Sequence, residues 1–598
     1  MNPGGGSRLI RRRRLVFAAG LCVSRCSTRT SEGSPRDRAM NQNQILAFLG
    51  AIILGGGLAY VAMSQLQGPP PEPPAQPEPD ASPTPPKPPA PSTPDASPEQ
   101  AAAPDAPEEL LKTHCARCHV SPSPEHLPKE VWPFVMRWMG NYLGIPSIGP
   151  DNERLVQPAF VPKEQLVSED AYKRLERWLV ERARPQAEMR IARDRAPVTA
   201  RFTPKRLQVA GDVELLTLLH VDEGRQRLLV GGGKLDGGPR LRSYTLRGEQ
   251  DWEVLFRTEP IVAEPREGGY RIATIGALDM DRGNGRIVDL TLARKGPPSQ
   301  AALLSGAHRL THIVSRDLDG DGREDLVAVE FGDGYGPPGR GRLSVLWATP
   351  RFEEVVAKGA KAIPTGPLSG ALEQTTLMAE AGPLNVVVDD FNGDGREDIA
   401  LARAQGYQQI IVWLNLGERR FERRVVKEWF ASFGLNRMRA ADFDGDGDRD
   451  LLVVSGNNME IPAAPLRPYH GLRVLENEGE LRFTERFVYP FYGGLDAVVR
   501  DFDNDGDPDV AAISLFPDWD APEMFVYLEN EGGFAFSASG LAEADFGQWL
   551  SIGAGDVNGD GAPDILLGST RMPLGLVPDK ASARISASPP VLVLENNP

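Results

Sequence analysis

One nine-residue stretch, Asp442-Phe443-Asp444-Gly445-Asp446-Gly447-Asp448-Arg449-Asp450, restricts the fold of this chain more than any other feature. Carboxylates at its positions 1, 3, 5 and 9 repel one another unless a hard cation sits among their oxygens. Glycines at positions 4 and 6 let the backbone turn tightly. Ca²⁺ takes about 6–8 oxygen ligands in a flexible shell, so four side chains, a carbonyl near position 7 and a water suffice. An EF-hand would require a Glu at position 12, between two helices. Here position 12 falls inside Leu451-Leu452-Val453-Val454, which reads as a strand. This is a loop between strands.

The loop recurs in register. The candidate ligands are Asp317, Asp319, Asp321 and Asp325; Asp390, Asn392, Asp394 and Asp398; Asp442, Asp444, Asp446 and Asp450; Asp501, Asp503, Asp505 and Asp509; and Asp556, Asn558, Asp560 and Asp564. First aspartates are 73, 52, 59 and 55 residues apart, a period that marks short strands arrayed as a propeller or solenoid. Two degenerate loops precede the clean five, one at Asp222 and one from Asp279 through Asp281 to Asp289. Counting both gives seven blades, with six and eight still open. The repeats resemble the FG-GAP/VCBS family, the Ca²⁺-loop propellers also seen in integrin α subunits, over roughly residues 210–598. The resemblance implies a mainly β fold. A buried oxygen cage keeps no position open for substrate, so the Ca²⁺ sites read as structural; Mg²⁺ favours more water and fewer protein oxygens.

Each clean loop leads into a short apolar strand and later a third strand such as Ile410–Asn415. The last blade stops at Val591–Asn596 with no outer strand after it. Residues 199–203 are expected to supply that strand, closing the ring and removing both edges.

The first third of the chain has a different character. Residues 1–39 are basic and polar, and read either as a poor targeting segment or as sequence upstream of a start at Met40. Residues 44–64 form an almost uncharged apolar segment; at ~1.5 Å per residue it just crosses a ~30 Å bilayer core. Basic residues before it and acidic ones after it put the N-terminus in the cytoplasm. It reads as a single-pass transmembrane helix, or alternatively as a signal peptide. Residues 65–107 are rich in Pro, Ala, Glu and Asp and cannot form a core, so they are an extended linker.

Residues 108–195 then carry Cys115-Ala116-Arg117-Cys118-His119, the attachment signature of c-type haem. Two thiols one turn apart add to the vinyl groups, and the adjacent imidazole reaches the iron. A zinc site would need a second ligand pair, and Cys22 and Cys26 are the only other cysteines. A dithiol motif needs a βαβ setting that is absent here. Met136, Met139 and His126 are open as sixth ligand. The run Cys-His-x-x-Pro-x-Pro-x-x-Leu-Pro-Lys, with Trp and Met after it, resembles the small α-helical cytochrome c-like domain found ahead of FG-GAP/VCBS repeats in some bacterial proteins. That resemblance favours Met139. Residues 164–185 have helical periodicity, with Tyr172, Leu175, Trp178 and Leu179 facing inward.

The expected architecture is therefore a transmembrane helix, a linker, a haem c domain and a propeller over residues 196–598. The haem domain and propeller would lie on the periplasmic or extracellular side. Much of the net charge of −16 lies in the loops, and the acidity argues against nucleic acid as a partner. The leading function is electron transfer to a redox partner protein, with a polysaccharide or protein ligand on the propeller loops. The alternatives are a haem-linked oxidoreductase acting on a sugar or alcohol, and a surface adhesion or scaffold protein. His220, His308, His312 and His470 are the only propeller histidines, and none has a recognisable catalytic setting. The loops Phe516–Met524 and Met459–His470 are candidates for a ligand face or for a docking face for the cytochrome-like domain.

Overall fold

The computed structural model describes residues 106–597 except 118, 148–155, 157–160, 192, 210, 212, 235–237, 277–282, 333–339, 358–365, 459–460, 462–463 and 576. The expected transmembrane segment, nearly all of the linker, and Cys118 lie outside the described residues. Among those described, no helix is long and apolar enough to cross a membrane.

The described chain is mainly β, in antiparallel sheets. Strand pairing among the described residues resolves it into seven four-stranded units, six over residues 215–255, 260–307, 310–378, 383–428, 435–490 and 494–539, and a seventh made of three strands in 548–596 plus Phe202–Leu207. The second unit gains a short fifth strand, Gly366–Pro367. Each first strand packs against the first strand of the next unit, and the last packs back on the first. The units are the blades of a β-propeller.

Within a blade, burial changes strand by strand. In the fifth, the first strand Leu435–Ala441 is half-buried and lines the lumen, whereas the second, Asp450–Ser455, is buried throughout. Buried on both faces, that second strand reads as a continuous apolar run rather than an alternating one. Outer strands such as Phe421–Glu428 face solvent and carry charges, which blunts an open edge.

The seventh blade is closed from the N-terminal side. Phe202–Leu207 pairs antiparallel with Val591–Asn596, from Phe202 opposite Asn596 to Leu207 opposite Val591. The closing strand thus begins three residues later than expected. Residues 197–199 are instead held by Gly540 of the sixth blade, which donates to the Pro197 carbonyl at 2.8 Å and accepts from the Thr199 amide at 3.0 Å.

Of the expected degenerate loop, Asp279 and Asp281 lie outside the described residues, and Asp289 is not on a first-to-second-strand connection. In the second blade that connection is the two-residue turn Glu267-Gly268, with Gly268 left-handed at φ 72°. Asp289 lies inside the third strand, Gly285–Thr291, fully buried against Arg271 at 2.8 and 3.2 Å. Acidic spacing alone does not separate a ligand from a core ion-pair partner.

Ahead of the blades is a small helical module. Helix α1 (Pro107–Leu110) runs into a π-helical turn, Leu111–Cys115. Helix α2 is Trp132–Gly140, and α3 is Glu169–Arg182, N-capped by the Ser168 hydroxyl, which accepts from the Ala171 amide. Leu110, Trp132, Met136, Tyr172, Leu175 and Leu179 form its core. Trp178 is only half-buried, packed at the core's edge with the Arg182 guanidinium 4.8 Å above its ring.

Candidate metal centres

All five clean loops share one internal geometry, and the glycines explain it. Positions 4 and 6 are left-handed throughout, the glycines running from φ 71° at Gly393 to 104° at Gly506. Only Asn504 replaces glycine there, at φ 61°, a conformation Asn tolerates. That path aims successive amides inward. In the loop from 317, the Asp317 carboxylate accepts from the Gly320, Asp321 and Gly322 amides at 2.8, 3.1 and 2.8 Å.

The side chains at positions 1, 3 and 9 converge. Asp317, Asp319 and Asp325 offer oxygens within 4.8 Å of one another, as do Asp442, Asp444 and Asp450, and Asp501, Asp503 and Asp509. In the remaining two loops position 3 is Asn392 or Asn558, a neutral oxygen donor. Position 5 falls outside these triads; in two loops Asp321 and Asp394 are engaged by Arg323 and Arg396 of the same loop. Oxygens gathered this closely suit a hard divalent cation.

Position 9 is also structural. Asp450 accepts from the Phe443 amide at 3.0 Å and the Asn477 amide at 2.8 Å, joining its loop to the end of the third strand. Asp325, Asp398, Asp509 and Asp564 make the same two bonds. Burial pushes the carboxyls of Asp325, Asp398 and Asp450 up to about 6, against the pull of those amides. A bound cation would favour the ionised form.

The strand-end asparagines were missed by sequence reasoning. The Asn415 side chain donates to the Leu318 carbonyl at 2.8 Å, Asn477 to Phe391 at 3.1 Å, Asn530 to Phe443 at 3.0 Å and Asn596 to Phe502 at 2.5 Å. Each reaches position 2 of the preceding blade's loop, so the five loops are stapled in series. The signal was present as an Asn closing the apolar third strand of each of the last four blades.

In the first blade Asp222 closes the first strand opposite Arg227, and a guanidinium meets its carboxylate. Asp222 accepts from the Arg225 side chain at 2.9 Å, the Arg225 amide at 2.9 Å and the Tyr270 hydroxyl at 2.7 Å. These partners hold its carboxyl below the ordinary range despite desolvation.

In the helical module, Cys115 ends the π-helical turn, half-buried against the core. The His119 Nδ1 lies 2.9 Å from the Val120 carbonyl; a carbonyl only accepts, so in the neutral ring this contact calls for the proton on Nδ1 and leaves Nε2 as the lone-pair atom. Met136 joins the Cys115 core, whereas Met139 belongs to a neighbouring cluster with Phe134, Trp138, Tyr142 and Val156. His126 is committed elsewhere. Its ring stacks on Phe430 at 3.6 Å, and its Nδ1 accepts from the Ser123 amide at 3.1 Å.

The two loops singled out in the sequence receive this module. The Tyr469 hydroxyl donates to the His126 carbonyl at 2.6 Å, and Ile461 enters the module's core. Arg190 bridges Asp518 and Asp520, at 2.7 Å to each, and Arg193 and Arg195 pair with Glu523 and Asp545. Both loops connect second to third strands, so the docked face is opposite the nine-residue loops.

Comparison with known proteins bears on the repeats. The FG-GAP-like repeat family matches residues 390–453 and 501–567, which hold four of the five clean loops. A chain in a solved structure of S. cerevisiae Dbp5 bound to Nup159, Gle1, IP6 and ADP overlays with TM-score 0.37 and 11% identity, covering 67% of this chain and 97% of that one. A luciferin-regenerating enzyme overlays with TM-score 0.32 and 10% identity, covering 57% of this chain and 96% of that one. Nothing about function follows from overlays at these scores.

Proposed function

We propose that the chain is a membrane-anchored, extracytoplasmic c-type cytochrome for electron transfer, carried on a Ca²⁺-stabilised seven-bladed propeller that binds a partner or polymer. The observation that carries the reading is the C-x-x-C-H motif; the contact of His119 Nδ1 with the Val120 carbonyl is compatible with Nε2 acting as a ligand in the neutral ring. Cys115 and Cys118 would hold the haem covalently and His119 would be one axial ligand; Met139 as the other rests on the resemblance alone, since it is Met136 that packs with Cys115. Once bound, the haem supplies one-electron transfer. The stacking of His126 on Phe430 and its bond from the Ser123 amide support a sixth ligand other than His126. The apolar segment 44–64 would anchor the chain. In the propeller, the acidic loops would hold Ca²⁺ as a structural ion.

The test is a reduced-minus-oxidised visible spectrum of the full chain co-expressed with cytochrome c maturation machinery, beside a Cys115→Ala/Cys118→Ala control. A covalent c-type α-band lost in the control is expected. No haem in the wild-type chain would remove the redox role and leave a propeller whose role is binding.

A further inference from the structure

The first strands of the blades enclose a lumen. Toward the nine-residue loops, where those strands end, it contains a cavity of about 440 Å³. That is within the ~300–1,000 Å³ typical of small-molecule pockets. Its wall combines half-buried Val314, Val387 and Val498 with Arg316, Arg439 and Arg500. The two outer arginines are matched at the rim, Arg316 by Glu397 at 3.5 Å and Arg500 by Glu223 at 2.9 and 3.2 Å.

Deeper in, the charges do not balance. Arg437 and Arg439 share a single carboxylate, Asp496, at 3.1 and 2.8 Å. The Arg439 Nε donates to the Ala497 carbonyl at 2.8 Å, which fixes its plane. His312 adds no anion. Burial and the two arginines depress its imidazole to about 3, and its Nδ1 has no hydrogen-bond partner among the described residues. Two guanidiniums against one carboxylate leave a local excess of one positive charge around Asp496, on side chains about a quarter exposed (26% and 29%), and a partly desolvated charge is costly without a counter-ion.

We propose that the lumen binds a small organic carboxylate, its head on Arg439 and its aliphatic body against Val314, Val387 and Val498. A monoanion cancels the excess charge, whereas a phosphate dianion would overshoot it. The valines offer a ligand's body contact but no hydrogen bond. This inference rests on neither the haem nor the Ca²⁺ reading.

The test is calorimetric titration of the full chain with hexanoate, hexan-1-ol and inorganic phosphate. The proteins are wild type, Arg439→Gln and Val498→Trp, the last filling the cavity while leaving every charge in place. Saturable hexanoate binding is expected, at least tenfold tighter than hexanol, not displaced by equimolar phosphate, and at least tenfold weaker in either variant. If Arg439→Gln does not fold, Val498→Trp decides alone. Absence of saturable hexanoate binding, equal affinity for hexanol, displacement by equimolar phosphate, or unchanged affinity in Val498→Trp would each overturn the proposal.

Discussion

Deletion of residues 196–207 is expected to destabilise the whole propeller and turn a monodisperse protein into an aggregating one. The closing strand contributes six paired residues to the seventh blade, and its partner Val591–Asn596 is apolar along most of its length. Without the strand, Val591-Leu592-Val593-Leu594 presents an unpaired edge, a template for pairing with another copy. Phe202 adds a side-chain anchor. It is buried and packs edge-on to Tyr527 at 5.1 Å and Phe502 at 6.2 Å, so the strand also ties the seventh blade to the sixth. Phe202→Ala alone should cost about 3–5 kcal/mol. Urea unfolding and light scattering on the deletion and on Phe202→Ala measure the two effects. Unchanged midpoints in both would mean that the ring does not depend on its closure.

Closure was readable in the sequence because a missing outer strand at one end and an extra one at the other are complementary facts. The exact strand was not, since Thr199-Ala200-Arg201 and Lys205-Arg206-Leu207 are equally compatible with extension; Gly540 captures the earlier residues. The acidic loops were legible because their chemistry is local: glycine at the left-handed positions and carboxylates at fixed offsets. Pairing across blades is not local. Nothing near Asp289 announces that Arg271 from the neighbouring strand will neutralise it, and nothing near Asn477 announces the Phe391 carbonyl of the preceding blade. The docking of the helical module was half visible. Its receiving loops stood out by composition, but nothing in the sequence marks the arginines at 190, 193 and 195 as the groups that pair with Asp518, Glu523 and Asp545.

Asp450→Ala is expected to be the most damaging single substitution among the loop carboxylates of the fifth blade, exceeding Asp442→Ala. Asp442 sits on an exposed turn, where water replaces its bonds to the Gly445 and Gly447 amides. Asp450 is 1% exposed. Truncating it strands the Phe443 and Asn477 amides in a region without water, at about 1–3 kcal/mol for each unsatisfied group. Asn477 is also the staple to the preceding blade, so displacing its backbone loosens the bond to the Phe391 carbonyl. A summed cost of about 2–6 kcal/mol follows before any cation is considered. Asp450→Asn keeps one side-chain oxygen acceptor but loses the negative charge, so it separates the two roles. If the loop holds Ca²⁺, an ion at about 100 times its Kd adds ~2.7 kcal/mol. Wild type should then gain more from calcium than Asp450→Asn does. Thermal melts of wild type, Asp450→Ala and Asp450→Asn, each with calcium and with chelator, give the answer. Equal losses for both variants, independent of calcium, would assign Asp450 to the hydrogen-bonded turn alone. A loss in Asp450→Ala no larger than in Asp442→Ala would remove its special place in the blade.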